Sequence, residues 1–298
     1  MQKVLITGVN GFVGSYLARL LLQNNMQVIG TGKGDCRLNI TDKNFTYEPL
    51  DFTDKEKCNS VFQKYNPEVV VHTGAVSKPD ECEQNREEAY RQNVSGTQNL
   101  LGEAEAINAF FIFLSTDFIF SGIEGMYREE DAASPVNYYG QTKVEAEAAV
   151  IKYSGDWCIV RTVLVYGDPC GGRHNILTNV ADSLRQKKAL KIFNDQVRTP
   201  TYVEDLVRAI ATIIDKKKTG IFHISGEDIL TPYQMAIAVA DHLQLETTLI
   251  SPVKEDEFVQ PAKRPLKTGF DISKAKRELN YQPTSFAEGL KKTFKENL

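Results

Sequence analysis

Short apolar runs alternate with amphipathic stretches through the first half of the chain. Apolar runs at Lys3–Thr7, 27–31, Val69–His72, 110–115 and Trp157–Thr162 have strand length and are bounded by turn residues. Between them, apolar positions recur three and four apart over Phe12–Gln23, 54–65, 83–106 and 139–153, the period of a helix with one buried face. Continuous apolar strands separated by helices are expected in a parallel sheet covered on both faces. The expected fold is therefore α/β, a Rossmann-type doubly wound parallel sheet, with ligands beyond the carboxyl ends of its strands.

After residue 167 the alternation fades and Gly, Pro and Asn become frequent, as in Gly167-Asp168-Pro169-Cys170-Gly171-Gly172. A helix at 203–215 and a strand at 221–225 follow, and Thr231-Pro232 opens another helix with a capping hydroxyl and a first-turn proline. The strand is expected to rejoin the main sheet. The division is thus 1–167, rejoined by about 202–225, as a dinucleotide-binding domain, and 168–201 with 226–298 as a smaller, discontinuous substrate-binding domain.

Composition narrows the function. Net charge is −4, with 42% hydrophobic and 25% charged residues, an ordinary globular mixture with no basic excess for nucleic acid or an anionic membrane. No apolar run has membrane-spanning length, and the amino terminus lacks a secretory pattern. Five cysteines without close pairs, and four scattered histidines, give no expectation of disulfide or metal, and the cytoplasm is the expected location.

Two motifs carry chemistry. Thr7-Gly8-Val9-Asn10-Gly11-Phe12-Val13-Gly14 joins the first strand to the first helix, where glycines permit a tight turn and free helical N–H groups face an anion. Tyr139-Gly140-Gln141-Thr142-Lys143 sets a phenol and an ammonium four apart on one helix face. The ammonium favours the phenolate, so this tyrosine suits proton donation to an alkoxide. The second strand ends Gly30-Thr31-Gly32-Lys33-Gly34, without the carboxylate that accepts from a ribose 2′-hydroxyl; Asp35 comes late, and Lys33 and Arg37 attract a 2′-phosphate. NADP(H) is the expected cofactor, ahead of NAD(H).

These motifs, with Ser115-Thr116-Asp117-Phe118-Ile119-Phe120, Arg161-Thr162, Val165-Tyr166-Gly167 and Asp271-Ile272-Ser273-Lys274-Ala275, resemble the extended short-chain dehydrogenase/reductases over nearly the whole chain. Within that group the runs Asn194-Asp195-Gln196, Thr199-Pro200-Thr201 and Ala262-Lys263-Arg264-Pro265 are most similar to the dTDP-4-dehydrorhamnose reductases. The resemblance implies a catalytic triad of Thr116, Tyr139 and Lys143. It implies pyrophosphate contacts from Gly8, Asn10, Gly11, Phe12, Val13 and Gly14, adenine contacts from Asp51 and Phe52, and a cofactor channel with Gly74, Ala75 and Asn93. For a sugar-nucleotide substrate it implies a pocket with Thr116, Asp117, Leu164 and Asn175. Arg198 and Arg264 are added because a guanidinium fork fits a diphosphate.

Departures from the reductase pattern fall in that pocket: Leu164 stands where tryptophan is usual, Ala75-Val76-Ser77-Lys78 replaces an Ala-His-Thr segment, and Arg198 replaces a small residue. Related dehydratases place adjacent Asp and Glu after the Ser-Thr pair, whereas this chain has Asp117-Phe118, and phenylalanine cannot move a proton. The leading expectation is an NADPH-dependent 4-keto reductase of a nucleotide-linked deoxysugar. The alternatives are a sugar-nucleotide epimerase and a non-catalytic NADP-binding regulatory subunit. The oligomer stays open, with a homodimer as the first candidate.

Overall fold

The structure is a computed structural model describing residues 1–170, 174–257 and 260–294, so the expected Gly171-Gly172 turn lies outside the described residues. In chain order the elements are β1 (Lys3–Thr7), α1 (Phe12–Gln23), β2 (Gln27–Gly32), β3 (Phe45–Pro49), α2 (Lys55–Tyr65), β4 (Val69–His72), α3 (Pro79–Gln84), α4 (Arg86–Tyr90) and α5 (Gly96–Ala106). Then come β5 (Phe110–Thr116), α6 (Tyr138–Ile151), β6 (Trp157–Thr162), β7 (Val165–Tyr166), α7 (Ile176–Arg185), β8 (Leu190–Phe193) and β9 (Thr201–Tyr202). The chain continues with α8 (Val203–Lys216), β10 (Gly220–Ile224), α9 (Pro232–His242), β11 (Ile250–Val253), α10 (Ser273–Leu279) and α11 (Phe286–Thr293).

Seven strands form one sheet in the order β10-β6-β5-β4-β1-β2-β3, every pair parallel. The two-residue alternation of a pleated strand sorts their side chains. Val4, Ile6, Val69, Val71, Phe110 and Ile112 enter one core, facing Leu17 and Leu21 of α1 and Leu206 and Ile210 of α8. Leu5, Val70, Phe111, Phe113 and Ile159 enter the opposite core, facing Phe62 of α2, Leu100 of α5 and Val150 of α6. Chain order reverses between β1 and β4, so the loops leaving these strands diverge and open a crevice.

The stretch 83–106, expected as one helix, is broken. Asn85 leaves helical geometry at φ −134° and ψ 74°, and its side chain accepts from Glu88 N to cap α4. A π-helical turn, Arg91–Ser95, then leads into α5. A third core lies outside the sheet, where Leu177, Val180, Ala181 and Leu184 of α7 meet Met235, Ala236 and Val239 of α9 and Leu290 of α11. Alongside it, β8 and β11 form a separate parallel pair. No helix among the described residues is long and apolar enough to cross a membrane.

Candidate active site

The crevice is a cleft of about 1090 Å³ running from the β1–α1 turn to β8. At its floor Gly8 has φ +71°, and a Cβ there would stand 2.8 Å from the Gly74 backbone, so the β1 and β4 exits meet too closely for a side chain. Gly11 opens α1 without a side-chain cap, and no acidic residue lies in the first turn. Gly11, Phe12, Val13 and Gly14 line the cleft there, which fits the pyrophosphate of a dinucleotide at an uncapped helix terminus.

Asn10 stitches this turn to the loop after β2. Its Nδ2 donates to the Asp35 carbonyl at 3.0 Å and to the Tyr47 hydroxyl at 3.1 Å, and its Oδ1 accepts from Arg37 N at 2.9 Å. Lys33 and Arg37 thereby line the cleft mouth, while Asp35 contributes its carbonyl to Asn10. Phe52 lines the wall, with its ring where Cβ atoms at Gly74 or Gly96 would lie 2.6 or 2.5 Å away. Asp51 departs from expectation: it is not part of the lining, and it accepts from Thr53 N and Oγ1 and pairs with Lys33 at 3.1 Å. Asn93 also departs. It is buried, its Oδ1 accepts from Val76 N at 2.8 Å, and its Nδ2 donates to Val76 O and Thr142 Oγ1 at 3.0 Å each. Both of its amide N–H groups and one oxygen lone pair go to tying the β4 exit loop, where Gly74 and Ala75 line the cleft, to α6.

Thr116, Tyr139 and Lys143 line one stretch of the cleft. Asn137 caps α6 by accepting from Gly140 N at 2.9 Å, which sets the turn bearing Tyr139. A Cβ at Gly140 would lie 2.1 Å from the Phe118 carbonyl, so glycine lets α6 seat against the end of β5. Lys143 is buried, donates through Nζ to Leu114 O at 2.7 Å and sits 3.8 Å from the Phe113 ring centroid. Burial pushes the ammonium down to about 7. The spacing forecast a cation assisting a phenol; the environment adds that burial disfavours the charged form of that cation. Phe118 packs edge-on to Tyr139 with centroids 6.0 Å apart.

The expected substrate residues are the least well matched. Arg198 is buried and donates to the carbonyls of Val197, Leu266 and Pro265 at 2.8, 3.0 and 2.7 Å and to Gln196 Oε1 at 3.3 Å. Its guanidinium edges the cleft with its donors committed to protein oxygens. Arg264 grips Asp80 bidentately at 2.5 and 2.8 Å. Asp117, expected to take sugar hydroxyls, is buried and accepts from Thr116 Oγ1 at 3.0 Å and from Thr268 Oγ1. Asn175 lines the cleft but spends its side chain capping α7 through Leu177 N and Thr178 N, and on Gly167 O at 2.6 Å. Leu164 lines the cleft at φ +34°, a left-handed conformation unusual for leucine, at the bend between β6 and β7.

The far end of the cleft was missed in the sequence. Asn179 and Ser183 of α7 and Lys191, Ile192 and Phe193 of β8 line it there. The apolar spacing of Leu177, Val180, Ala181 and Leu184 was a readable helix signal. The parallel pairing of β8 with β11, distant in sequence, left no local signal.

The strand order, the glycine turn and the tyrosine–lysine helix define an NAD(P)-dependent oxidoreductase of the extended short-chain dehydrogenase/reductase class. The family model for the RmlD substrate binding domain matches residues 1–298, and the chain belongs to that family. Among solved structures it is similar to a dTDP-4-dehydrorhamnose reductase from Clostridium acetobutylicum, 29% identical with a TM-score of 0.87 over 98% of both chains. It is also similar to the dTDP-4-dehydrorhamnose reductase from Bacillus anthracis solved in complex with NADP, 26% identical with a TM-score of 0.85 over 99% of both chains. A curated relative, methionine adenosyltransferase 2 subunit beta from Bos taurus, is 31% identical over 298 residues, which span 98% of this chain and 87% of that one.

Proposed function

We propose that this chain uses NADPH to reduce the 4-keto group of a nucleotide-linked deoxysugar, as a dTDP-4-dehydrorhamnose reductase does. The observation that carries the reading is the convergence of Thr116, Tyr139 and Lys143 with the uncapped α1 terminus in one cleft. Bound NADPH supplies a hydride. Gly11, Phe12, Val13 and Gly14 hold the pyrophosphate at the helix terminus, and Lys33 and Arg37 take the 2′-phosphate. Tyr139 gives its phenolic proton to the oxygen of the carbonyl being reduced, and Lys143, one turn along α6, carries the positive charge that stabilises the phenolate left behind. Thr116, whose hydroxyl proton goes to Asp117 Oδ1, offers its remaining Oγ1 lone pair to a sugar hydroxyl from the end of β5. With Arg198 and Arg264 committed to protein oxygens, Lys191 takes the substrate diphosphate.

On this reading residues 1–167 with 202–225 bind the cofactor and 168–201 with 226–298 bind the sugar nucleotide. The cytoplasmic location and the homodimer expected from the sequence belong to it too. The test is incubation with NADPH deuterated at the transferred position and a nucleotide-linked 4-keto-6-deoxy sugar. Deuterium at C4 of the product, with one NADPH consumed per product, is the expected result. Product formed without cofactor consumption replaces the reductase with an epimerase.

The similarity to methionine adenosyltransferase 2 subunit beta favours a second reading, an NADP-binding subunit of another enzyme. That reading gives Tyr139 and Lys143 no chemical task, and protein-dependent oxidation of NADPH by a keto-sugar nucleotide, with the keto group reduced to an alcohol, distinguishes the two.

A further inference from the structure

The residues at the end of β5 form a buried chain of contacts that reaches from Thr116 into the segments carrying Gln196 and Pro265. Thr116 Oγ1 accepts from Phe118 N at 3.2 Å and donates to Asp117 Oδ1 at 3.0 Å. Asp117 Oδ2 accepts from Thr268 Oγ1 and lies 3.9 Å from Arg198 Nε. Arg198 spreads onto Val197, Pro265 and Leu266, and those two segments are laced by Val197 N to Leu266 O at 2.6 Å and Thr268 N to Val197 O at 3.1 Å. Asp117, Arg198 and Thr268 are each 3% exposed or less, so none stands free to leave its partners for a ligand.

A lone carboxylate at this depth would be strongly disfavoured, and a lone guanidinium equally so. Together they persist because each is hydrogen-bonded on its remaining sides. Asp117 is thus joined to 265–268 through the Thr268 hydroxyl and to 196–199 through the charge of Arg198. Asp117 in turn holds the Thr116 hydroxyl. We propose that Asp117, Arg198 and Thr268 are positioning residues that fix the Thr116 hydroxyl and tie its orientation to the segments 196–199 and 265–268. The proposal rests on the reductase reading for the role of Thr116, but the linkage itself does not.

Thr268→Val tests it, because the substitution keeps the volume, removes only the hydroxyl, and lies outside the cleft lining. In the NADPH-bound protein, amide exchange at Phe118 is expected to accelerate by about tenfold, while amides of β1 keep their protection. Turnover with the keto-sugar nucleotide is expected to fall by about ten- to a hundredfold with KM for NADPH unchanged, the scale of a misplaced catalytic group. Thr268→Ser, which restores the hydroxyl, is expected to recover both. Unchanged Phe118 exchange in Thr268→Val overturns the linkage whatever the enzyme's activity. Faster exchange with wild-type turnover overturns the positioning role. A loss of turnover that Thr268→Ser fails to recover does so as well. Failure of the reductase reading is seen separately, as absence of NADPH oxidation by the wild-type protein.

Discussion

The Lys143 ammonium donates to the main-chain oxygen of Leu114 at 2.7 Å, tying the helix that carries Tyr139 to the strand that ends in Thr116. The bond fixes the height of α6 along β5. It also holds a charged group among Phe113 and other buried side chains, where a cation is poorly solvated.

That burial gives a pH signature. Lys143 is near 7 when folded against 10.5 ordinarily, so below 7 it is charged in both states and folding bears the full burial of the charge. As pH rises from 7 to 10.5 the folded protein sheds its proton before the unfolded chain does, and stability rises. Wild type is therefore expected to gain stability relative to Lys143→Met between pH 7 and pH 9. Denaturant unfolding at both pH values measures this, and a constant difference between the two proteins contradicts it.

Two buried histidines act at the acid end. Burial, with the Lys143 cation near His72 and the Arg161 cation near His223, holds both imidazoles down to about 3. His72 lies between Thr7 Oγ1 at 2.6 Å and Thr97 Oγ1 at 3.0 Å, and His223 stacks on Phe270 with centroids 3.9 Å apart. Between pH 6.5 and 3 the unfolded chain binds protons that the folded one refuses, so stability falls as pH falls. Asp117, raised by its own burial, opposes this. The expected slope is about 1.4 kcal/mol per pH unit for each net proton, read from denaturant unfolding at pH 6 and pH 5. A flat response shows that the imidazoles charge inside the fold or that proton uptake by Asp117 cancels their effect.

Replacing Tyr139 with Phe removes the proton donor and leaves the glycine turn intact. Turnover is expected to fall by about two to four orders of magnitude, with NADPH affinity little changed. Steady-state rates and a binding titration separate the two effects, and near-normal turnover removes Tyr139 from the chemistry.

Cofactor choice is expected to depend on Lys33 and Arg37 at the cleft mouth. Arg37→Ala should weaken NADPH binding by about tenfold, the worth of one charge-assisted hydrogen bond, and leave NADH binding unchanged. The difference should shrink at high salt. Equal weakening of both cofactors places Arg37 away from the 2′-phosphate.

Six of the sheet's strands and the helix spacing of Tyr139 and Lys143 were legible because both depend on near neighbours in sequence. So was the glycine turn, whose strand-before, helix-after setting is local. Asp51 and Asn93 were assigned to the cofactor by motif, yet the structure gives their polar atoms to Lys33, Thr53, Val76 and Thr142. The same happened to Arg198, whose partners at 265 and 266 come from 67 and 68 residues away. A residue type states which contacts are possible, and the tertiary fold decides which partner arrives first. The β3 strand was passed over because Phe45–Pro49 is only half-buried and has no continuous apolar run.

The last strand of the sheet, β10, arrives only after the excursion through α7, β8 and α8, and it pairs with β6 from Gly220–Cys158 to Ile224–Thr162. A chain ending at residue 167 would present β6 as a bare edge, its unpaired amides and carbonyls flanked by apolar side chains, open to pairing with other molecules. During synthesis the nascent chain carries that edge until residue 224 has emerged. Shortened forms of this protein meant to retain the cofactor half alone must therefore keep β10, or they will associate edge to edge.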